Sequence, residues 1–96
     1  MHAVVNHLPI RPGTDWAALA GEVEKFRASA AAHAGFRDMK FIRCHDRDEA
    51  IVLVLFDSRP VLEDLSSRLA GPWFAEHVRP HLAGAASRST GEVLVG

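Results

Sequence analysis

The stretch "GPWFAEHVRPHL", residues 71–82, contains the histidine best suited by type and setting to acid–base chemistry. A histidine titrates near neutrality, so His77 could act as a general base, and it could equally ligate haem iron. His81 lies four residues further on, the spacing at which two helical residues can share a metal ion. Pro80 lies between them and disturbs the helix, and no third ligand stands at a recognisable spacing. We therefore predict no metal site.

Asn6 is the second candidate, because it is a polar residue in an otherwise apolar segment. In a strand it shares a face with Val4 and Leu8, which favours burial of its amide. A buried amide needs a hydrogen-bond partner, and nearby backbone could satisfy it. Alternatively, the amide could donate to a substrate oxygen or to dioxygen and stabilise the negative charge that develops in a dry pocket. We predict Asn6 and His77 as catalytic residues of one pocket.

The hydrophobic pattern predicts the elements that must position these side chains. Strands are predicted over residues 2–10, 36–45, 50–56 and 91–96, and helices over 14–33 and from 58 onward. The order β-α-β-β-α-β is the ferredoxin-like α+β arrangement with a four-stranded antiparallel sheet, formed here by a single domain of residues 1–96. Gly71-Pro72 is expected to end the second helix and redirect residues 73–82 across the mouth of a pocket.

The walls of that pocket are predicted from the same pattern. On the short helix, Trp73, His77 and His81 share one face, while Phe74 and Val78 form a neighbouring stripe that anchors the segment on the core. The predicted substrate-binding residues are Phe26, Val54, Leu65, Trp73 and His81. Two arginines, Arg79 and Arg88, could steer an anionic ligand, although a solvated surface role is favoured for both. Cys44 has no histidine or basic partner at a readable spacing, so nucleophilic catalysis through it is not favoured.

The third strand, "AIVLVLF", bears on assembly because it is apolar on both faces. An antiparallel sheet with one wet face shows alternation, and this strand does not alternate. Two helices cover only one face of the sheet. We therefore expect a homodimer in which two sheets pack against each other.

Composition excludes several classes of protein. The chain is 48% hydrophobic and 24% charged with a net charge of −1, which is not the basic footprint of a nucleic-acid-binding protein. Its longest apolar run is far shorter than the roughly 20 residues of a membrane helix. The start has no signal-peptide pattern, and a single cysteine fits a reducing compartment. A cytoplasmic protein that binds neither nucleic acid nor membrane is expected.

With the element order and the expected dimer, the chain resembles the dimeric α/β-barrel proteins of the antibiotic-biosynthesis-monooxygenase superfamily. The resemblance rests on "VVNHLPIRPG", "GFRDMKFIRC", "IVLVLFDS" and "GPWFAEHVRPHL", in that order. It implies a pocket-facing asparagine at Asn6. It also implies at His77 the position where haem-degrading members place their iron ligand. The helix-two tryptophan of those members would fall near Leu65, which is a departure.

The resemblance implies a cofactor-independent monooxygenase acting on a small aromatic, quinol-like or polyketide-like substrate. An electron-rich phenol, once deprotonated, can itself reduce dioxygen, so the protein needs only a base, an anion-stabilising donor and a dry pocket. Two alternatives stay open. The chain could be a non-catalytic or stress-associated dimer that binds a small hydrophobic or aromatic ligand, or it could bind or degrade haem through His77.

Overall fold

A computed structural model describes residues 1–96. The elements follow the predicted order: β1 (His2–Pro9), α1 (Trp16–Ala30), β2 (Phe36–Arg43), β3 (Glu49–Phe56), α2 (Arg59–Leu65), a π-helical segment (Ser66–Ala70), α3 (Gly71–His77), a 3₁₀ turn (Arg79–His81) and β4 (Ser87–Glu92). The strands form one antiparallel sheet in the order β2-β3-β1-β4. The predicted ferredoxin-like α+β fold with four antiparallel strands is confirmed.

The sheet has one face that packs against the helices and one that no element covers. Val4 pairs with Val54 and Asn6 with Val52, and these residues share the helix-facing side. The opposite side, which we call the outer face, carries six apolar residues: Ala3, Val5, Ile42, Ile51, Leu53 and Leu55. Most of them are only half-buried. The absence of alternation in β3 therefore corresponds to an apolar surface on each side of the sheet.

The core lies between the sheet and the helices in two clusters. The larger one joins α1 to the middle of the sheet and includes Leu8, Leu19 and Val23. The smaller one lies under α2 and contains Val4, Phe56, Leu62 and Leu65. α1 contributes through one stripe of its surface, as its apolar spacing predicts. It has 15 residues, and no helix of the chain has the length and apolar character needed to cross a membrane.

Gly71-Pro72 does not end the second helical region, so the prediction made for this pair is wrong. Gly71 has right-handed helical angles, φ −59° and ψ −53°, and its N–H donates to the carbonyl of Ser66, five residues earlier. A proline in a regular helix loses a hydrogen bond and its ring strikes the preceding turn. The wider π-helical turn before Pro72 removes that conflict, so the backbone stays helical from Arg59 to His77.

The final strand is also displaced from its predicted place at residues 91–96. β4 is the polar stretch Ser87–Glu92, which pairs with β1 from His7↔Ser87 to His2↔Glu92. One further hydrogen bond follows the strand, from the N–H of Val93 to the carbonyl of Met1 at 2.8 Å. The apolar residues that favoured a strand lie past the end of β4, and Leu94 and Val95 are 83% and 93% exposed.

Gly35 provides a sharp test of the connection between α1 and β2. Its φ is +90°, and a Cβ there would lie 2.8 Å from a methyl carbon of Val61. We expect Gly35→Ala to lower the free energy of unfolding by about 1–3 kcal/mol, through backbone strain and this contact. Gly21→Ala is the matched control, because Gly21 lies inside α1 with open space around it and alanine favours a helix. Chemical denaturation should show the Gly35 variant destabilised and the Gly21 variant unchanged or stabilised. Equal effects would contradict the claim that the backbone angle and the contact with Val61 require glycine at position 35.

Candidate functional site

A cavity of about 300 Å³ lies between the sheet and the helices and is lined by residues of both core clusters. We call it the main cavity. This volume is at the lower end of the range for small-molecule pockets, about 300–1,000 Å³. Its apolar walls include Val4, Phe26, Val54, Phe56, Leu65 and Phe74. Three of the predicted substrate-binding residues, Phe26, Val54 and Leu65, are therefore brought together.

Asn6 lies in the floor of the main cavity. It stands opposite Val52 on β3 and Arg88 on β4, so its side chain rises from the centre of the sheet towards the helices. Its neighbours on that face, Val4 and Leu8, are buried, while Asn6 itself is half-buried. The side-chain amide makes no hydrogen bond to any group of the chain. Its donors and acceptor are thus available to a ligand.

The other side chains with polar groups in the lining are Ser66, Arg79 and Arg88. Ser66 begins the π-helical segment, Arg79 belongs to the 3₁₀ turn and Arg88 to β4. No carboxylate, histidine or cysteine lines the main cavity. Its chemistry is therefore that of an amide, a hydroxyl and two guanidinium groups against apolar walls.

Two further spaces adjoin the main cavity. An inner cavity of about 60 Å³ shares Asn6, Phe26 and Phe74 with it and is almost wholly apolar. A more open outer recess of about 440 Å³ shares Phe74, Arg79 and Ala86 with it. Asn6 consequently lies at the inner end of the main cavity and Arg79 at its outer end.

Trp73 lines the inner cavity and not the main one. Its ring stacks on Phe26 with the centroids 4.4 Å apart. The tryptophan therefore supports a wall of the main cavity from behind, and the prediction that it lines the substrate space holds only for the small inner cavity.

His77 does not face the cavity, so the prediction that it shares a pocket with Asn6 is wrong. Its Nδ1 lies 3.4 Å from Oε2 of Glu22 on α1, and its Nε2 lies 3.8 Å from Oε2 of Glu76. The side chain is 35% exposed. The extra residue in the π-helical turn rotates each later residue by about 100°. Phe74 and Val78 consequently face inward, and His77 faces α1.

His81 lies outside the main cavity, the inner cavity and the outer recess. Its backbone carbonyl accepts a hydrogen bond of 2.8 Å from the N–H of Arg11. The 3₁₀ turn ends the helical region at His81, so the residue does not extend the face that carries His77. His81 is thus not brought to the predicted pocket, and its carbonyl instead fixes the turn beside the end of β1.

Several solved structures share this fold. No family model and no curated protein matches the chain in sequence. Among solved structures, Rv0793 from Mycobacterium tuberculosis aligns with TM-score 0.80 and 18% identity, over 99% of this chain and 96% of that one. An antibiotic biosynthesis monooxygenase aligns with TM-score 0.79 and 7% identity, over 99% of this chain and all of the other. SnoaB from Streptomyces nogalater, a cofactor-independent oxygenase, aligns with TM-score 0.79 and 12% identity, over 99% and 94%. The chain has the antibiotic biosynthesis monooxygenase fold.

Within this monooxygenase fold, the described residues do not fit a haem ligated by His77. The imidazole lies between two carboxylates on the side of α3 that faces α1. The main cavity offers no imidazole, thiolate or other ordinary axial ligand to haem iron. The haem alternative therefore has no iron ligand in this cavity.

The groups with shifted pKa values all lie away from the cavity. A hydrogen bond from the Arg47 guanidinium, followed by one from His7, holds the pKa of Glu49 below its usual range. The backbone N–H of Met39 lowers the pKa of Asp38, and Arg68 lowers the pKa of Asp64. These carboxylates take part in surface ion pairs, which makes them structural and not catalytic in this arrangement.

Sequence reasoning did not assign Ser66, Arg79 or Arg88 to the cavity. Arg88 lies in a polar segment taken for a connection, so no strand register linked it to Asn6. Ser66 lies four residues after the buried Leu62, so ordinary helical spacing could have placed it on the core side. Arg79 reaches the cavity because the helical region continues past Pro72, which the hydrophobic pattern did not reveal. The signal that could have found β4 is that "SRST" has the β-branched and small polar residues that an edge strand tolerates.

Proposed function

We propose that the chain is a cofactor-independent oxygenase that acts on a small aromatic, quinol-like or polyketide-like substrate. The observation that supports this most is the apolar main cavity with the unengaged amide of Asn6 at its inner end. Such a cavity binds a flat apolar molecule and keeps water from the reacting atoms. The fold shared with SnoaB, described as a cofactor-independent oxygenase, agrees with the proposal.

The reaction draws its electrons from the substrate. A phenol that activates a neighbouring ring carbon loses a proton, and the resulting anion passes electrons to dioxygen and forms a C–O bond. When a ring CH₂ becomes a carbonyl group, one oxygen atom of O₂ enters the product and the other leaves as water. The two hydrogens of the CH₂ group leave in that water, so atoms and electrons balance without another reductant.

Asn6 has the role of an electrostatic donor. Its side chain lines the space where an apolar substrate and dioxygen would meet, and negative charge develops on oxygen during the transfer. A preorganised amide in a water-poor site stabilises such charge more effectively than water does. No carboxylate, histidine or cysteine lines the cavity, so the substrate proton leaves to water through the outer recess.

Oxygen uptake tests the proposal. Purified protein would be incubated with a panel of hydroxylated anthrones and quinols, and the product of each uptake would be analysed after reaction with isotopically labelled dioxygen. We expect protein-dependent uptake with at least one substrate and one labelled oxygen atom in its product. Saturable binding across the panel without uptake above the buffer rate would contradict an oxygenase.

That contradicting outcome would favour a second function, the binding of a small aromatic ligand without chemistry. The absence of any acid–base side chain from the cavity lining is the observation in its favour. General acid–base catalysis supplies about 10²–10⁴-fold in enzymes that use it, and this cavity provides no residue for it.

His77→Ala distinguishes the site proposed here, which does not include His77, from a site in which His77 acts as the general base. Because His77 lies outside the cavity, we expect the variant to change turnover by less than about threefold, whereas loss of a general base costs about 10²–10⁴-fold. Rates would be measured with the substrate identified by oxygen uptake. A loss of a hundredfold in a folded variant would restore His77 to the mechanism.

The proposal extends to assembly: the chain is a homodimer in which the outer faces of two sheets meet. The six apolar residues of the outer face support it, because no part of the chain covers them. A monomer would expose a contiguous apolar patch, which soluble monomers rarely do. Sedimentation at micromolar concentration should give about twice the mass of one chain, 10.5 kDa.

A further inference from the structure

The arginines of the chain differ in whether they have a partner. There are nine, at positions 11, 27, 37, 43, 47, 59, 68, 79 and 88. Five pair with carboxylates, namely Arg27, Arg37, Arg47, Arg59 and Arg68. Arg11 donates to the carbonyl of Leu82, and Arg43 lies over the ring of Trp16. The side chains of the remaining two, Arg79 and Arg88, have neither a hydrogen bond nor an ion pair nor a stacked ring, and both residues line the main cavity.

The fold brings these two arginines to the same space from different elements. Arg88 stands directly opposite Asn6 in the pairing of β4 with β1, so both side chains leave the sheet on its helix-facing side. Arg79 follows Val78, which is only 2% exposed and fixes the start of the 3₁₀ turn in the core. Arg79 also lines the outer recess. β4 is the edge strand of the sheet and both arginines are exposed, so their guanidinium groups can reach the open side of the apolar cavity.

The positive charge of the pair is not compensated within the chain. Neither the main cavity nor the outer recess has an aspartate or glutamate in its lining. The chain holds 12 acidic residues and 11 basic ones, so carboxylates are not scarce. The other arginines have partners although they too are on the surface. Apolar walls and the absence of a counter-charge strengthen the attraction of two guanidinium groups for an anion.

We propose that the ligand of this cavity is an aromatic carboxylic acid whose carboxylate binds Arg79 and Arg88 while its ring system fills the apolar space towards Asn6. The inference rests on the proposed function in placing the substrate in the main cavity. A guanidinium group matches a carboxylate in plane and can donate two hydrogen bonds to it. Docking of the carboxylate at the outer end directs the opposite end of the ring system to Asn6, where oxygen would react.

A carboxylate fits the site better than a phosphate does. Phosphate sites commonly add a concave run of backbone N–H groups, which needs glycine or another residue in the left-handed region. The positive φ angles of the chain occur at Gly13, Gly35 and Gly96, and none of these lines the main cavity or the outer recess. The polar groups that the anionic group of a ligand can reach are therefore side chains and not a run of backbone N–H groups. Such a site suits the single negative charge of a carboxylate.

Calorimetric titration with matched probes tests the inference. The probes are 2-naphthoate, 2-naphthamide and 2-naphthyl phosphate, which share one ring system and differ in the headgroup. We expect the wild-type protein to bind 2-naphthoate about 10–100-fold more tightly than 2-naphthamide, as charge-assisted hydrogen bonds predict, and at least as tightly as the phosphate. Arg79→Gln and Arg88→Gln should each reduce the preference for the carboxylate by about tenfold, and the double variant should remove it while 2-naphthamide still binds.

Arg59→Gln is the matched control, because Arg59 pairs with Glu63 on α2 and does not line the cavity. It should leave both affinities unchanged. Equal binding of 2-naphthoate and 2-naphthamide, or a preference that survives in the double variant, would overturn the inference, and tighter binding of the phosphate would overturn the choice of carboxylate. These outcomes are separate from the oxygen-uptake result. Uptake with neutral quinols and no charge preference would refute only the carboxylate, and a charge preference without uptake would refute only the oxygenase.

Discussion

Asn6→Ala is expected to lower turnover about 10²–10³-fold, the largest effect of any single change in the cavity. Removal of one donor to a developing oxygen anion has this magnitude in enzymes that depend on it. Since the amide makes no hydrogen bond within the chain, its removal should cost little stability. The loss would be measured as kcat with the substrate identified by oxygen uptake, alongside the dissociation constant for 2-naphthamide.

Ser66→Ala provides the control for this prediction. Ser66 is the other uncharged polar side chain in the lining, and its hydroxyl forms no hydrogen bond in the chain. We expect a change of less than about threefold, because the proposed chemistry gives that hydroxyl no role. Equal losses of turnover in the two variants would indicate a general effect on substrate binding. An unchanged rate in Asn6→Ala would show that the amide has no part in the mechanism.

Leu53→Asp is expected to weaken the proposed dimer about 10³-fold or more. Leu53 lies in the middle of the outer face, between Val5 on β1 and Lys40 on β2. A carboxylate buried there would cost several kcal/mol at the interface, because the loss of hydration outweighs the attraction of the neighbouring Lys40, and each 1.4 kcal/mol corresponds to a factor of ten. Sedimentation over a range of concentrations would show the dimer dissociating in the variant.

The control for the dimer prediction is Leu94→Asp, since Leu94 is apolar and exposed but lies outside the sheet. This variant should keep the dissociation constant of the parent protein. A dimer that tolerates aspartate at position 53 would show that two copies meet elsewhere. Circular dichroism of the Leu53 variant would separate dissociation from unfolding, because the side chain does not belong to either core cluster.

The fold was predictable because its determinants are local and repeated. The apolar spacing of α1 and the apolar run of β3 each indicate one element, and the order of elements then leaves few arrangements. β4 was misplaced because its residues are all exposed and polar, whereas the apolar tail that follows resembles a strand better. Pairing with β1, a long-range contact, overrode that local preference.

The site was predictable only where a residue's face follows from strand periodicity. Asn6 and Val54 alternate with their neighbours, so the helix-facing side of each strand could be assigned. Arg88 required the register between β1 and β4, and Arg79 required the geometry of the chain after Pro72. Neither is visible in residue spacing, because both depend on how one element is aligned with another.

The π-helical segment Ser66–Ala70 has a consequence for transferring roles between relatives. It acts as a one-residue insertion within a helix, so an ungapped alignment to a protein with a regular helix would be out of phase by one from that point onward. In such an alignment the inward position of the relative would be matched to His77, although Val78 occupies the equivalent place in space. An assignment copied by position would therefore name the wrong residue throughout α3, and a gap placed within residues 66–70 corrects it.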